Sequence, residues 1–328
     1  MSVSIEDSVS VVVPVYQGER TLDSLFEEMK PMMLGFVTPG GRRARVHEVI
    51  LAYDNGPDRS DQVIRRLVRD NDAVRAVWLS RNFGQHAATL AGIAQSTGDW
   101  IVTLDEDGQH DPRSLVDMLD TAMDTHAPVV YAIGVNPAPH GRVRNAASRG
   151  AKRLLEFIFG GVSATDFSSF RLISGEVGRS VAGFAGTGVY LDVALSWVAK
   201  EVVTTDVRLR EEGDRRSGYS YKKLLAHFWR MILTSGTRGL RAVTALGALF
   251  AVGGIAFAAY LTIARIVTGS DAPAGWTSLM VLSAFSTGVV LMALGVIAEY
   301  LGVAVNGALG RPSYLISTDP ALRPEERE

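Results

Sequence analysis

The 328-residue sequence contains no cysteine. This absence excludes disulfide bonds, thiol nucleophiles and zinc sites built on cysteine. The formal net charge of −2 provides no general attraction to phosphate backbones, so we expect no nucleic-acid partner. The first residues include acidic Glu6 and Asp7 and form no apolar segment of signal-peptide length, so we expect no secretory signal.

Two common nucleotide-binding signatures are also absent. No Gly-x-Gly-x-x-Gly motif follows the first predicted strand, and no Gly-x-x-x-x-Gly-Lys-Ser/Thr loop occurs. By these signatures the chain is neither a dinucleotide-binding domain nor a P-loop domain. The six histidines show no metal-ligand spacing, so a metal site has to be sought among the acidic residues.

Charge is scarce in the last third of the chain, where two long apolar segments follow Arg241. Ala242 to Ala264 and Trp276 to Ala298 each contain 23 residues without a charge. As helices they would each span about 34 Å, enough for a hydrocarbon core of about 30 Å. The short connector, Thr268 to Gly275, therefore predicts a two-helix transmembrane hairpin; the alternative is a pair of buried helices in a soluble protein.

The basic residues around these segments predict their orientation. The connector contains no Lys or Arg, whereas the first segment is preceded by Lys222, Lys223, Arg230, Arg238 and Arg241. The positive-inside rule then predicts a multi-pass anchor in the cytoplasmic membrane with both termini in the cytoplasm. We predict a polar cytoplasmic domain over residues 1–218, a juxtamembrane amphipathic helix over 219–240, the hairpin over 241–310 and a cytoplasmic tail over 311–328.

The polar domain begins with alternating strand and helix patterns. The predicted strands are Ser8–Val15, Val46–Tyr53, Val74–Leu79, Trp100–Leu104 and Pro128–Gly134, and the predicted helices are Thr21–Met33, Asp58–Arg69 and Gly84–Gln95. This alternation predicts an α/β fold with a doubly wound, parallel sheet. Sheets of this kind bind their ligands at the carboxyl ends of the strands.

The segment Thr103 to Pro112 follows a predicted strand and is rich in acids. Asp105, Asp107 and Gln109 alternate along it, so their oxygen-bearing side chains can converge. Such oxygens suit a hard divalent cation that keeps positions open for substrate phosphates. The alternative is a polar loop that caps the helix predicted to start near Pro112.

The other strands of the predicted sheet also end in polar tips. These tips are Pro14 to Glu19, Tyr53 to Asp58 and Ser80 to His86. Taken singly, each of these sequences is more typical of an ordinary turn than of a binding site. Their convergence at one edge of the sheet favours a nucleotide site, where Asp54 would contact a base edge or a ribose.

As a set, these motifs resemble a known family. The resemblance rests on Val13-Pro-Val-Tyr16, Asp54 with Asp58, Arg81-Asn-Phe-Gly-Gln-His86, Leu104-Asp-Glu-Asp-Gly-Gln109, Ile297-Ala-Glu-Tyr-Leu-Gly302 and Arg311-Pro-Ser-Tyr314. The chain resembles the inverting family 2 glycosyltransferases and, within them, the polyprenyl-phosphate glycosyltransferases. This resemblance implies a GT-A type doubly wound mixed sheet, followed by amphipathic interfacial helices and the two-helix transmembrane hairpin.

The resemblance also implies roles for individual residues. The nucleotide would be bound by Pro14, Tyr16, Glu19 and Asp54. The metal, Mg²⁺ or Mn²⁺, and the diphosphate would be surrounded by Asp105, Asp107 and Gln109, with Asp105 and Asp107 as the catalytic acids.

Two positions depart from the family pattern. Tyr53 stands where the family often has a second Asp, and Glu106 stands where a small residue is common. Glu106 either faces away from the metal or adds a fourth acid to the site.

The middle of the chain is predicted to hold the acceptor. Arg142 to Phe159 has the pattern of a basic amphipathic helix, typical of a membrane surface, with an ordinary surface helix as the alternative. The resemblance places Arg149, Ser169 and Arg171 near the acceptor phosphate. It also implies an Arg where this chain has Asn136, and Arg142 or Arg144 could substitute for it.

Two further residues have competing interpretations. Arg171 could form an internal ion pair with an acid such as Asp166. Asp192 lies in a helical context and is a weak candidate for contact with the sugar.

Together these features predict transfer of one sugar, with inversion, from a nucleoside diphosphate sugar to polyprenyl phosphate. The resemblance favours a UDP-sugar such as UDP-glucose over a GDP-sugar, and a homo-oligomer, with a tetramer as one form. A processive polysaccharide synthase is less favoured because the chain lacks a Gln-x-x-Arg-Trp motif and a long set of spans. A catalytically silent, membrane-tethered nucleotide-sugar-binding scaffold stays open. A transporter of the lipid product is less favoured still, because two spans leave little room for a pathway.

Overall fold

The computed structural model describes residues 6–135, 167–185, 190–198, 202–210, 275–309 and 312–322, together with isolated positions between 243 and 267. Contacts divide the chain into two units. The first consists of Met1–Tyr221 with Arg311–Glu328, and the second is Lys222–Gly310. The first unit is therefore discontinuous in sequence.

The first unit alternates strands and helices. The strands are β1 (Asp7–Val15), β2 (Phe36–Val37), β3 (Arg43–Tyr53), β4 (Val74–Leu79), β5 (Trp100–Thr103), β6 (Val129–Gly134), β7 (Arg171–Ser174), β8 (Val203–Val207) and β9 (Ile316–Ser317). The α-helices are α1 (Leu22–Met33), α2 (Ser60–Asp70), α3 (Gln85–Ala94), α4 (Leu115–Thr125), α5 (Gly175–Phe184) and α6 (Leu191–Val198). Short 3₁₀ helices lie at Pro112–Ser114 and Pro320–Leu322.

These strands form one mixed sheet. Its order is β8-β6-β7-β5-β1-β3-β4-β9, with β2 also paired to β3. The central strands β5, β1, β3 and β4 are parallel, whereas β7 runs antiparallel to both β5 and β6, and β9 runs antiparallel to β4. The α/β class and the mixed sheet are confirmed. The strands predicted from the alternation run parallel to one another, and the sheet is mixed because β2, β7 and β9 run antiparallel to their neighbours. Alternation is a local signal, and it does not report the direction of a strand whose sheet neighbours are distant in sequence.

Each face of the sheet is covered by helices. Along β1, the side chains of Val9, Val11, Val13 and Val15 pack with α1 and α4, and Val12 packs with α3 on the other face. This follows from the two-residue period of a strand, and it explains why β1 is apolar almost throughout. The packing on both faces fixes the strand ends that carry the polar tips.

The second unit contains α7 (Trp276–Ala308), a helix of 33 residues. Within it, Phe285–Val305 has a mean hydropathy of 2.1 and none of its apolar window is buried. It is long and apolar enough to cross a membrane. The helix begins where the second predicted span begins and continues beyond the predicted end, through Glu299.

The other predicted span, Ala242 to Ala264, is described only in part. Every described position between residues 243 and 267 is helical. Phe250 packs edge-to-face against Phe285 of α7, with ring centroids 5.4 Å apart. The two-helix hairpin stays a prediction.

Candidate active site

The tips of β1, β3, β4 and β5 enclose a cleft of about 460 Å³ at the carboxyl ends of these strands. The cleft is lined by Pro14, Val15, Tyr16, Asp54, Asn82, Gly84, Gln85, Asp105, Glu106 and Asp107. All four predicted polar tips contribute to it. Of the residues that the sequence analysis assigned to the donor and the metal, Glu19 and Gln109 are not among the lining residues.

Asp105 is held from both sides. Its Oδ1 accepts a 2.5 Å hydrogen bond from Gln85 Nε2, and its Oδ2 accepts a 2.6 Å bond from the hydroxyl of Ser169. Ser169 is itself fixed, because Thr103 Oγ1 donates a 2.7 Å bond to its carbonyl. Since a carboxylate has about four acceptor sites, Asp105 can bind a cation while both contacts persist. Ser169 thus supports a predicted metal ligand, a role that the sequence analysis did not foresee.

Asp107 belongs to a tight turn. Its Oδ1 accepts a 3.0 Å bond from the backbone N–H of Gln109, and Gly108 between them has a φ of +78°. That left-handed conformation is the one that glycine adopts at least cost. Asp107 remains part-exposed and lines the cleft.

The acids of the cleft provide a partial set of metal ligands. In the part of the chain that the structure describes, no group of three or more His, Asp or Glu side chains is arranged to hold a metal ion. The carboxylates of Asp105 and Asp107 nevertheless suit a hard divalent cation whose other ligands are phosphate oxygens and water. The donor set therefore fits Mg²⁺ or Mn²⁺ when a diphosphate completes the site.

Glu106 joins the tip of β5 to the tip of β1. Its Oε2 accepts a 2.7 Å bond from the N–H of Tyr16, and its Oε1 accepts a 2.8 Å bond from the N–H of Gln17. Bonds of this kind to a carboxylate are stronger than those between neutral groups. Of the two orientations considered for Glu106, the structure shows its oxygens directed to the backbone of the neighbouring tip.

Asp54 joins the tip of β3 to the tip of β4, also by accepting backbone N–H groups. It is 3% exposed, and its two oxygens accept bonds of 2.7 and 2.8 Å from the N–H groups of Phe83 and Gly84. Burial raises the pKa of Asp54, and the two backbone bonds partly offset this effect. Asp54 lines the cleft, but its described contacts are to the loop that carries Gln85.

The tips of β1 and β3 touch at Gly56. A Cβ on Gly56 would lie 1.6 Å from the carbonyl oxygen of Tyr16, so a larger residue would push the tips apart. Tyr53 donates a 2.9 Å bond to the carbonyl of Gly56 and so holds this turn. Glu19 lies beside them, exposed, and accepts a 3.2 Å bond from the N–H of Arg59.

Arg171 is buried and forms an ion pair. It is 3% exposed, and its Nη1 contacts Asp192 Oδ1, which also accepts a 3.2 Å bond from the hydroxyl of Tyr131. Burial, and next the charge of Asp192, raise the pKa of Tyr131 well above its usual value. Arg171 Nε is buried without a hydrogen-bond partner among the described residues. An internal ion pair of Arg171 is therefore present, with Asp192 as the partner.

Two further residues support the acidic segment. His110 Nδ1 accepts a 3.1 Å bond from the N–H of Asp105, and its ring stacks on Phe170. Burial lowers the pKa of His110, while the charges of Asp105 and Asp107 act in the opposite direction. The backbone N–H of Arg210 donates a 3.0 Å bond to the carbonyl of Gln109, and its guanidinium contacts Glu28 and Asp111. The sequence offered no signal for Arg210, because it lies about a hundred residues from the segment that it holds.

Several predictions lie outside the described residues. They are the basic helix Arg142 to Phe159 with Arg144 and Arg149, the position of Asn136, the acid Asp166, and the juxtamembrane helix over 219–240. The acceptor side of the site is thus described only at Ser169 and Arg171.

Comparison with known proteins identifies the class of enzyme. Residues 10–177, just over half of the chain, match the family described as glycosyl transferase family 2. This stretch contains all four tips that line the cleft. The chain belongs to this family and is a glycosyltransferase, as its motifs predicted.

Known relatives are similar over almost the whole chain. The undecaprenyl-phosphate 4-deoxy-4-formamido-L-arabinose transferase of Pseudomonas aeruginosa (strain LESB58) is 29% identical over 316 residues, covering 94% of this chain and 89% of the relative. The protein of the same name from Edwardsiella ictaluri is 28% identical over 324 residues, covering 98% and 97%. Among solved structures, glucosyl-3-phosphoglycerate synthase from Mycobacterium tuberculosis, in complex with Mn²⁺ and UDP, has 21% identity and a TM-score of 0.49, covering 71% of this chain and 80% of that chain.

Proposed function

We propose that this glycosyltransferase moves one sugar from a nucleoside diphosphate sugar to a polyprenyl phosphate, with inversion and with a divalent cation. The observation that carries the proposal is the cleft in which four strand tips bring Asp105 and Asp107 together with Tyr16 and Asp54. The names of the relatives support undecaprenyl phosphate as the acceptor. A UDP-sugar, such as UDP-glucose, is the favoured donor.

The cation would be held by Asp105, Asp107 and Gln109. Asp105 and Asp107 line the cleft at the end of β5, whereas the oxygens of Asp54 and Glu106 accept backbone N–H groups of neighbouring tips. When bound, Mg²⁺ or Mn²⁺ would offset the charge that develops on the leaving diphosphate.

The chemistry of the acceptor phosphate reduces the need for a general base on the protein. A phosphate monoester has a second pKa of about 6, so at pH 7 its oxygens are already largely ionised. The attacking oxygen therefore needs no strong general base. The task of the protein is to hold two anionic substrates against each other, with positive charge offsetting their repulsion.

Several parts of the chain would bring the lipid to the cleft. The exposed apolar surface of α7, for example at Leu279 and Leu291, supports a membrane anchor. We propose that Arg144, Arg149 and Arg171 provide positive charge for the acceptor phosphate, with the catalytic domain and both termini in the cytoplasm. We propose a homo-oligomer as the working form.

The test is a transfer assay on the purified full chain in detergent. We expect labelled UDP-sugar and undecaprenyl phosphate to give a lipid-soluble product, and EDTA to abolish it. Asp107→Ala should reduce transfer by more than about 100-fold, because even indirect partners of metal ligands are worth about 10- to 100-fold. Asp117→Ala, at an exposed position of α4, is the matched control and should retain activity.

The same assay separates the competing functions. Label in a water-soluble polymer would instead indicate a polysaccharide synthase. Nucleotide binding without hydrolysis or transfer of any donor would indicate a silent scaffold. Normal turnover of Asp107→Ala at limiting Mg²⁺ would show that the metal assignment is wrong.

A further inference from the structure

The residues that follow α7 in the sequence return to the sheet of the first unit. We call residues 312–322 the tail. Within it β9 pairs with the end of β4, Ile316 opposite Leu79 and Ser317 opposite Trp78. The N–H of Ser80 donates a 2.9 Å bond to the carbonyl of Leu315. The tail thus holds the residue at which the tip of β4 begins.

An ion pair anchors the tail to α2. Arg65 Nε donates to both oxygens of Asp319, at 2.9 and 2.8 Å, and its Nη2 adds a 2.8 Å bond. Asp319 also accepts a 2.9 Å bond from the N–H of Ala321. The bonds from Arg65 lower the pKa of Asp319, so the carboxylate is charged at neutral pH. A planar guanidinium held in this way has little freedom to move.

One chain of contacts leads from the tail to the β4 side of the cleft. Ser80, held by the tail, is directly followed by the loop whose Asn82, Gly84 and Gln85 line the cleft. Gln85 in turn donates to Asp105 Oδ1. Contacts therefore connect the tail to a predicted metal ligand through this short loop.

A second chain of contacts leads to the β3 side. The guanidinium of Arg65 lies over the ring of Trp78, 5.3 Å from its centroid, and Trp78 meets Tyr53 edge-to-face at 5.4 Å. Tyr53 donates to the carbonyl of Gly56, and Gly56 lies against the carbonyl of Tyr16, which lines the cleft. Burial, and then the charges of Asp61 and Asp58, raise the pKa of Tyr53, so its hydroxyl stays a donor.

We propose that the tail is a positioning element of the donor cleft, anchored by Asp319 and Arg65. Its docking at the end of β4 holds the tips of β3 and β4 in the arrangement that binds the nucleotide sugar. The described tail residues are not among those that line the cleft, so they act through Ser80 and Tyr53. This inference rests on the proposed function, because it takes the cleft to be the donor site.

Two variants of the full chain test the proposal. Asp319→Asn removes the charge that anchors the tail, and Tyr53→Phe removes only the hydroxyl that holds Gly56. Asp120→Asn is a matched control, because Asp120 also pairs with an arginine, Arg42, and accepts a backbone N–H, at 2.7 Å in both cases. Asp120 lies on α4, which does not contribute to the cleft.

The readouts are donor binding and amide hydrogen exchange. We expect both variants to bind the tightest member of a panel of UDP- and GDP-sugars roughly three- to tenfold more weakly, which lies within the range found for residues that act through a network. Amides 80–84 should exchange faster in Asp319→Asn without ligand, and the acceptor KM should not change. Asp120→Asn should lower the melting temperature at most, with donor binding unchanged.

The outcomes separate this proposal from the proposed function. If the wild-type chain binds none of the nucleotide sugars, the proposed function and the role of the tail both fail. If it binds a donor and Asp319→Asn binds that donor equally well, the role of the tail alone fails. Equal weakening by Asp120→Asn would also overturn it, because the effect would then reflect general stability.

Discussion

Ser169 donates a 2.6 Å hydrogen bond to Asp105, although 64 residues separate them in the sequence. The contact exists because β7 runs antiparallel to β5, with Arg171 opposite Thr103. The reversed strand brings the residues before it to the tip of β5. A side chain that the resemblance assigns to the acceptor thereby helps to orient a predicted metal ligand.

Ser169→Ala should weaken the metal site. Without the hydroxyl, Asp105 loses one of its two side-chain partners, and such a loss typically costs about 10- to 100-fold in metal affinity or activity. We expect the Mg²⁺ concentration for half-maximal transfer to rise by about tenfold, and Ser169→Thr to restore most of it. Ser196→Ala, which removes a hydroxyl bonded within α6, is the control. An unchanged Mg²⁺ requirement in Ser169→Ala would contradict this role.

Asp54→Asn should affect the donor. In Asn an NH₂ group replaces one of the two accepting oxygens, so the N–H group of Phe83 or of Gly84 would face another donor and lose its acceptor. A fully buried N–H without a partner costs about 1–3 kcal/mol, and these N–H groups are part-buried, so the loss is at most of this size and the β4 tip should loosen. We expect the donor KM to rise by about tenfold, with the acceptor KM unchanged, in steady-state transfer assays. A donor KM equal to that of the wild type would exclude a role for this loop in donor binding.

Substitutions at Arg171 and Asp192 should have non-additive effects on the free energy of unfolding. Arg171→Ala leaves a part-buried carboxylate without its guanidinium, and a fully buried one would cost about 3–5 kcal/mol of unfolding free energy, so we expect a loss at or below this range. The double variant with Asp192→Ala should lose less than the sum of the two single losses, because neither charge is left unpaired. Denaturant unfolding of the four proteins measures this coupling, and additive losses would contradict it.

The same double variant tests the acceptor role predicted for Arg171. If Arg171 also contacts the acceptor phosphate, the folded double variant should have a raised acceptor KM and an unchanged donor KM. Arg171 Nε is buried and has no hydrogen-bond partner among the described residues. An unchanged acceptor KM would restrict Arg171 to the ion pair.

Glu48 should make stability depend on pH in the acid range. Burial alone raises the pKa of Glu48, but hydrogen bonds from Ser10, Arg75 and Thr97 outweigh it and hold the pKa below 4.5. The stabilisation is therefore present above about pH 4.5 and is lost as the pH falls through the lower, folded-state pKa.

Glu48→Gln measures this contribution. Its unfolding free energy should fall less steeply below pH 4.5 than that of the wild type. Glu27→Gln, at an exposed site paired with Lys30, should show the wild-type slope. Parallel slopes for the wild type and Glu48→Gln would remove Glu48 as a source of the acid sensitivity.

The elements around the cleft could be predicted because their signals are local. The apolar run that forms β5 and the acids that follow it are contiguous, so the tip with Asp105 and Asp107 was recognisable in the sequence. The residues that form hydrogen bonds with these tips could not be predicted from the sequence. Glu106 bonds to Tyr16 across 90 residues, and Asp319 bonds to Arg65 across 254, so their pairing is fixed by the sheet and not by sequence spacing.

The docking of β9 also has a consequence for the order in which the protein is made. β9 is encoded after α7, so the ribosome completes the apolar helix before the strand that covers the end of β4 exists. Until then the backbone groups of Trp78 and Leu79 lack this partner, and a free strand edge can pair with another chain. A protein shortened after residue 221 would keep that edge open permanently, and we expect it to self-associate during synthesis and purification.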